Sequence, residues 1–275
     1  MVHAKKSLGQ NFLNSKAVAR DIVRAAELLP NETVLEIGPG KGFLTSELLA
    51  SGARVIAVEK DDRMIPILSE KFAEEVIKKQ FILIHGDVID FMNKHKATTF
   101  GPEFSRLELE GTRYKLVANI PYYLTGQIIR TSLESKSKPE RMILMVQKEV
   151  ATRIVARDKK ESILSIAVKA YGTPRIIKKV PARYFTPSPK VDSAILAIEN
   201  ISGKNFPDTA TEKLFFEIVR AGFSHKRKML AGNLKRLLGI NTLQILMDVN
   251  ITENARAEDL VLNEWLAVTS KSQPH

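Results

Sequence analysis

The stretch VLEIGPGKGFL, residues 34–44, constrains this chain more than any other. A short apolar run, TVLEI, stops at glycine, glycine recurs at 38, 40 and 42, and residues 43–51 (FLTSELLAS) then show helical spacing. A buried strand, a glycine turn and a helix in that order open an α/β unit, because glycine lets the backbone turn sharply and lets a ligand approach where a Cβ would block it. The rest of the first half repeats the alternation. Strands are predicted at 54–59 (RVIAVE), 81–85 (FILIH), 115–118 (KLVA) and 142–146 (MILMV), with helices at 16–29 and 61–78. In the first helix Val18, Ile22, Ala25, Ala26 and Leu29 form the apolar face. Strands alternating with helices predict a parallel, doubly wound, Rossmann-like sheet covered on both faces. RIIKKV and SAILAIE, among Pro174, Pro181, Pro187 and Pro189, read as late antiparallel strands. ENISGKNFPD, residues 199–208, is the expected domain boundary, and helices are predicted beyond it at 210–222, 226–238, 242–248 and 256–268. Residues 93–114 are long for a loop in such a fold and receive no assignment.

Composition narrows the class. With 44% hydrophobic and 27% charged residues the chain is globular. It has no cysteine, which excludes disulfides and thiolate-held metals and fits a reducing cytoplasm. Its five histidines show no metal spacing, so no metal is expected. No apolar run is long enough for a membrane span, and the first 16 residues lack a signal-peptide core. The net charge of +11 is uneven: residues 1–140 are +2, residues 141–190 are +9, and residues 220–236 hold Arg220, Lys226, Arg227, Lys228, Lys235 and Arg236 with no acid. A single lysine-rich run is commonly a solvated face. Two runs nearly free of counter-charge point to a nucleic-acid surface, and are read as two walls of a groove.

Three consecutive strand ends suggest a first site. The glycine turn brings Gly38 and Gly40, the second strand ends at Glu59, and the third is followed by Asp87. A carboxylate at Glu59 has two oxygens for the two vicinal hydroxyls of a ribose, and Asp87 can accept from an adenine amine. Either acid alone could instead cap a helix. Together they favour an adenosine cofactor. S-adenosylmethionine (SAM) fits better than a dinucleotide, whose fingerprint needs glycine where Phe43 stands.

The fourth strand ends in Asn119-Ile120-Pro121-Tyr122, a pattern suited to methylating a base amine. An exocyclic amine is a poor nucleophile because its lone pair is delocalised into the ring. An Asn oxygen and a backbone carbonyl that accept its two N–H bonds draw the nitrogen toward tetrahedral geometry and stabilise developing positive charge. Pro121 fixes the backbone so that a carbonyl can turn inward. Tyr122 offers a face for the extruded base. The bland alternative is a plain Pro-Tyr turn.

SLGQNFL, EIGPGKGFLT, VEKD, HGDV, ANIPYY, MVQKEVATRI and FTPSPKVDSA together resemble the KsgA-type ribosomal RNA adenine N6,N6-dimethyltransferases, over residues 5 to 238. The resemblance implies a SAM-dependent methyltransferase domain at 1–199 and a small helical rRNA-binding domain at 200–275. It implies that Asn11 and Leu13 border the methionine end of SAM, that Gly38 and Gly40 line the cofactor, that Glu59 and Asp87 hold its ribose and adenine, and that Asn119 bridges cofactor and target. The substrate implied is two adjacent adenines in the 3′-terminal hairpin loop of small-subunit rRNA in an assembling 30S particle, each receiving two methyl groups. A monomer in the cytoplasm is expected. Phe185 is either a core aromatic or a second aromatic sandwiching the flipped base against Tyr122. RDKKESILSIAV, 157–168, stands where the family has a glycine-rich turn before a strand. Two other readings share these motifs: an enzyme acting on a large-subunit adenine, and an RNA-binding protein without catalysis. The helical C-terminal segment AGFSHKRKML and the FTPSPKVDSA stretch lean away from the first, and intact Asn119, Pro121 and Tyr122 lean away from the second.

Overall fold

The computed structural model describes residues 4–5, 8–92, 113–156 and 158–273; the unassigned 93–114 stretch lies, but for its last two residues, outside them. The chain divides into two compact units, residues 1–151 with 173–201, and residues 152–172 with 202–275. The boundary expected at 199/200 thus falls two residues later, and residues 152–172 group with the C-terminal segment.

The first unit is a mixed sheet. Its strands are β2 (Thr33–Ile37), β3 (Arg54–Glu59), β4 (Phe81–His85), β5 (Tyr114–Asn119), β6 (Arg141–Gln147), β7 (Thr173–Val180) and β9 (Ser193–Glu199), in the order β4-β3-β2-β5-β6-β9-β7. The first five are parallel; β9 runs antiparallel to both β6 and β7. Two further short strands, β1 (Phe12–Leu13) and β8 (Phe185–Thr186), pair with each other. The order reverses between β2 and β5, which opens a crevice at their carboxyl ends. The helices are α1 (Lys16–Ala26), α2 (Phe43–Ala50), α3 (Met64–Lys71), α4 (Ala73–Ile77), α5 (Val88–Met92), α6 (Thr125–Glu134) and the start of α7 (Lys148–Val155). Val34, Val55, Ala57, Val117, Ile143 and Met145 share one core with residues of α1, α2 and α3. Leu35, Ile56, Leu116 and Leu144 alternate with them and are equally buried, because successive side chains of a strand face opposite ways.

α1 starts where the Ser15 hydroxyl accepts from the Val18 N–H, and stops at Glu27 in the left-handed conformation. Leu29, expected on its apolar face, therefore lies past its end and is 65% exposed. The single helix expected over 61–78 is two, broken at Phe72 (φ −116°, ψ 31°), whose buried ring packs on Phe81 at 5.1 Å.

The second unit holds the end of α7 and the helices α8 (Ile163–Tyr171), α9 (Thr209–Gly222), α10 (Leu230–Leu238), α11 (Thr242–Asp248) and α12 (Leu262–Lys271). α8 replaces the strand expected after RDKKES. Ser162 and Ser165 cap it reciprocally, with Ser165 N–H to Ser162 Oγ at 3.2 Å and Ser162 N–H to Ser165 Oγ at 2.7 Å. The helix expected from 226 starts only at Leu230, since the Asn233 amide donates to the carbonyls of Gly222 (2.6 Å) and His225 (3.1 Å) and holds the preceding residues as a loop. The helix expected from 256 starts at Leu262, where the Glu264 carboxylate accepts from the Val261 N–H at 2.7 Å. Trp265 is fully buried and stacks on Phe223.

Candidate active site

The carboxyl ends of β2, β3, β4 and β5 stand side by side, so their four following loops converge: Gly38–Gly42, Glu59–Asp61, Gly86–Asp87 and Asn119–Tyr123. They wall a cavity that also takes in residues 8–13 from the N-terminal side. Asn11, Leu13, Gly38, Gly40, Glu59, Asp87, Asn119, Pro121 and Tyr122, all singled out from sequence, line it.

Gly38 and Gly40 have positive φ (65° and 57°), the region that favours glycine. A Cβ on Gly40 would come within 3.0 Å of the Phe12 ring, whereas one on Gly38 would meet nothing within 4 Å and would stand in the cavity. Glu59 is 5% exposed, and each of its oxygens accepts one backbone N–H: Oε2 from Gly40 at 2.9 Å, Oε1 from Asp61 at 2.8 Å. Burial raises its pKa against those two bonds. A carboxylate has about four lone-pair sites, so two remain for the hydroxyls of a ribose.

Asp87 caps a helix, one of the two tasks weighed for it, and borders the cavity. Oδ1 accepts from the Ile89 N–H at 2.8 Å, capping α5, while Oδ2 takes the Lys60 ammonium at 2.7 Å. Partial burial would raise its pKa, but Lys60 and the amide outweigh this and hold it below the ordinary value. Lys60 lines the cavity and was not singled out from sequence.

Glu36 was missed as well. It lies in the middle of β2, is 1% exposed and borders the cavity. Burial pushes its pKa up to about 8, and among the described residues Oε2 has no hydrogen-bond partner. A buried acceptor without a donor is costly, and an ammonium group in the cavity would supply one. The signal was visible: a carboxylate amid TVLEI, a run otherwise suited to burial on both faces. Donor-hungry Glu36 for an amino-acid end, Glu59 for a ribose, Asp87 for a base and the open space at Gly38 together fit SAM.

At the other end of the cavity, the Asn119 Nδ2 donates to the Asn11 carbonyl at 3.0 Å. The amide is anchored by its nitrogen, which leaves its oxygen as the acceptor. Pro121 (φ −54°, ψ 125°) leads into a single 3₁₀ turn, Tyr122–Leu124, closed by Leu124 N–H to the Pro121 carbonyl at 2.9 Å. The Tyr122 hydroxyl and Ser193 Oγ lie 2.6 Å apart, which ties the ring to the start of β9. Tyr123 also borders the cavity and is 61% exposed. Phe185 does not border it: it is 3% exposed, sits in the main core and pairs through its backbone with Leu13. The core alternative describes it, because the β1–β8 pairing turns its ring into the apolar layer.

Arg220, Lys226, Arg227, Lys228, Lys235 and Arg236 are all exposed. They run from the end of α9, through the loop, to the last turn of α10, and among the described residues none is in an ion pair. The 141–190 concentration does not form one wall. Arg141 pairs with Glu27 and Glu199, Arg175 with Glu199, Lys178 with Asp21, Lys160 with Asp259 and Lys169 with Glu161. Arg141 opens β6 beside the end of antiparallel β9, so it stands at the end of the sheet opposite the glycine turn. Among the described residues no cluster of three or more His, Cys, Asp or Glu is placed to hold a metal ion, and no helix is long and apolar enough to cross a membrane.

The family model for ribosomal RNA adenine dimethylases matches residues 1–273. A ribosomal RNA small subunit methyltransferase A of Dehalococcoides mccartyi is 42% identical over 265 residues, 95% of this chain and 86% of that protein. One of Fusobacterium nucleatum is 36% identical over 267 residues, 95% of each. Among solved structures, a dimethyladenosine transferase from Plasmodium falciparum superposes with a TM-score of 0.75 at 26% identity, covering 94% of this chain and 95% of that one. The 23S rRNA methyltransferase ErmE superposes with a TM-score of 0.72, also at 26% identity, covering 95% and 99%. The α/β sheet, the cavity at its carboxyl edge and this match over nearly the whole length agree, and the chain belongs to the ribosomal RNA adenine dimethylase family, whose members are SAM-dependent methyltransferases.

Proposed function

We propose that the chain dimethylates N6 of two adjacent adenosines in the 3′-terminal hairpin loop of small-subunit rRNA, in assembling 30S particles in the cytoplasm, and that it acts as a monomer. The observation that carries this reading is the Asn119 amide, tethered by its nitrogen to the Asn11 carbonyl at the rim of the cavity and next to Tyr122. Its oxygen accepts one N–H of the target amine. The second acceptor is a backbone carbonyl, and Ile120 supplies it, since the Pro121 carbonyl closes the 3₁₀ turn. Tyr122, its hydroxyl fixed by Ser193, presents a ring on which the extruded adenine stacks, a contact worth roughly 1–3 kcal/mol in single-strand binders. Glu36, Gly38, Gly40, Glu59 and Asp87 hold SAM, which supplies an electrophilic methyl group on sulfonium. The product amine loses its proton readily, so no general base is assigned. All these groups come from one chain, which supports action without a second copy. The names and identities of the curated relatives favour the small subunit over the large.

Incubation of the chain with tritiated SAM and, in parallel, the 30S and 50S subunits of an unmethylated strain tests the reading. Label in the 3′-terminal adenines of 16S rRNA is expected. Label only in 23S rRNA, or equal label in fully methylated 30S subunits, overturns it.

A further inference from the structure

The Asp61 side chain has no exposed surface although it stands in the loop between β3 and α3. Its carboxylate gathers donors from two parts of the chain. Arg63 reaches Oδ1 through Nε (2.9 Å) and Oδ2 through Nη2 (2.6 Å). The Gln10 amide, 51 residues earlier, donates to Oδ2 at 2.8 Å, and Lys5 Nζ stands 3.5 Å from Oδ1. Gln10 is fixed in turn, its Oε1 accepting from the Lys5 N–H at 2.8 Å. On its other side Asp61 donates its backbone N–H to Glu59 Oε1. One residue therefore links the segment that borders the cavity from above, Gly9–Gln10–Asn11, to the carboxylate at the end of β3.

We propose that Asp61 and Gln10 form a latch that holds residues 8–10 against the cofactor cavity and so sets SAM affinity, with Asp61 a positioning residue. The inference rests on the reading of this cavity as the SAM site. The segment's other ties lie farther along: Asn119 holds the Asn11 carbonyl, and the β1–β8 pairing holds Phe12 and Leu13. Among the described residues, the other hydrogen bonds of the Gln10 side chain and the Gly9 carbonyl stay within the N-terminal segment, from the Lys5 N–H and Asn11 Nδ2, so Asp61 is the tie from Gln10 to the end of β3. The Arg63 guanidinium, against the effect of burial, keeps Asp61 ionised well below the usual carboxylate range. A charged acceptor makes a shorter and stronger bond than a neutral one. Asn11 keeps its own tie to Asn119, and Phe12 and Leu13 keep their pairing with β8, so releasing the latch frees residues 8–10, leaves Asn119 and Tyr122 in place, and puts the loss on cofactor binding and not on transfer.

The test titrates SAM and S-adenosylhomocysteine into the full chain and follows methylation of unmethylated small subunits. Gln10→Ala is expected to raise the Kd for SAM about tenfold, the loss of one charge-assisted hydrogen bond. At saturating SAM, kcat stays within about twofold, and RNA affinity is unchanged. Gln10→Glu, which sets a carboxylate against Asp61, is weaker still. Combining Gln10→Glu with Asp61→Asn exchanges donor and acceptor and recovers much of the affinity, which a general loss of stability would not do. Wild-type affinity in both Gln10 variants, a fall in kcat with Kd unchanged, or a folded double variant no better than Gln10→Glu overturns the latch. Should the double variant not fold, the order of Gln10→Ala and Gln10→Glu decides. Glu59→Ala separates the two readings: if it binds SAM normally, the cavity assignment fails; if it loses SAM while the Gln10 variants keep it, only the latch fails.

Discussion

Glu36 is an acid where the neighbouring residues call for an aliphatic side chain, and its position predicts a pH signature. Its folded pKa, about 8, lies above the ordinary value of 4.5, so between those values the native state binds more protons than the unfolded chain. Stability without cofactor therefore falls as pH rises through that window, by about 1.4 kcal/mol per unit for this group. Glu36→Gln removes the dependence. Its stability advantage over the wild type is expected to grow from pH 5 to pH 8, to a few kcal/mol, on the order set by full burial, and to level off above. Urea unfolding at several pH values measures it, and an advantage that does not change with pH would refute the assignment. The same substitution weakens SAM binding, because an amide cannot carry the negative charge that makes the bond to an ammonium group charge-assisted. For Asn119→Ala the expectation is loss of methyl transfer with RNA binding retained; equal loss of both contradicts its role as acceptor for the target amine. Asn119 was legible because it closes a strand in a motif with its own chemistry. Lys60 and Ser193 were not, since each acts through a neighbour that only the fold supplies: Asp87 and Tyr122.

Elements were read to different depths for physical reasons. Five parallel strands buried on both faces appear as apolar runs, and β2, β3 and β4 have the expected ends. At ILSIAV the family resemblance implied a strand, and the structure has α8; its β-branched residues fit a buried helix face as well as a strand. The capping serines decide between them. Ser162→Ala is expected to cost about 1 kcal/mol of the second unit's stability, seen as faster proteolysis near 157–172, with SAM affinity unchanged. A change confined to SAM binding would show that the cap is not what holds α8. The β1–β8 pair was invisible for a different reason: two residues pair with two others more than 170 positions away, and no local pattern records it. That pairing brings QNFL beside FTPSP, and it also explains why Phe185 packs inward.

At the scale of the whole molecule, the charge that looked local in the sequence is shared. Residues 152–172 with 202–275 hold 15 basic and 10 acidic side chains, and the rest of the chain 27 and 21, so the two units carry +5 and +6. What distinguishes individual cations is pairing. Arg141, Arg175 and Lys178 are matched by Glu27, Glu199 and Asp21, whereas Lys226, Arg227 and Lys228 stand exposed on a loop fixed by Asn233. Ion-paired cations release few counterions on binding RNA; free ones that meet phosphate release nearly one each. Replacing Lys226, Arg227 and Lys228 by alanine is therefore expected to weaken RNA binding and to lower the slope of log K against log salt by about 2, at roughly 0.7 per phosphate contact. The Arg175→Ala and Lys178→Ala changes are expected to leave that slope unchanged, and SAM affinity is expected to stay at the wild-type value in every variant. Filter binding of a small-subunit rRNA fragment across a salt series measures all of these. An equal fall in slope for Arg175→Ala and for the loop variant would mean that total charge, and not its freedom from partners, sets the affinity for RNA.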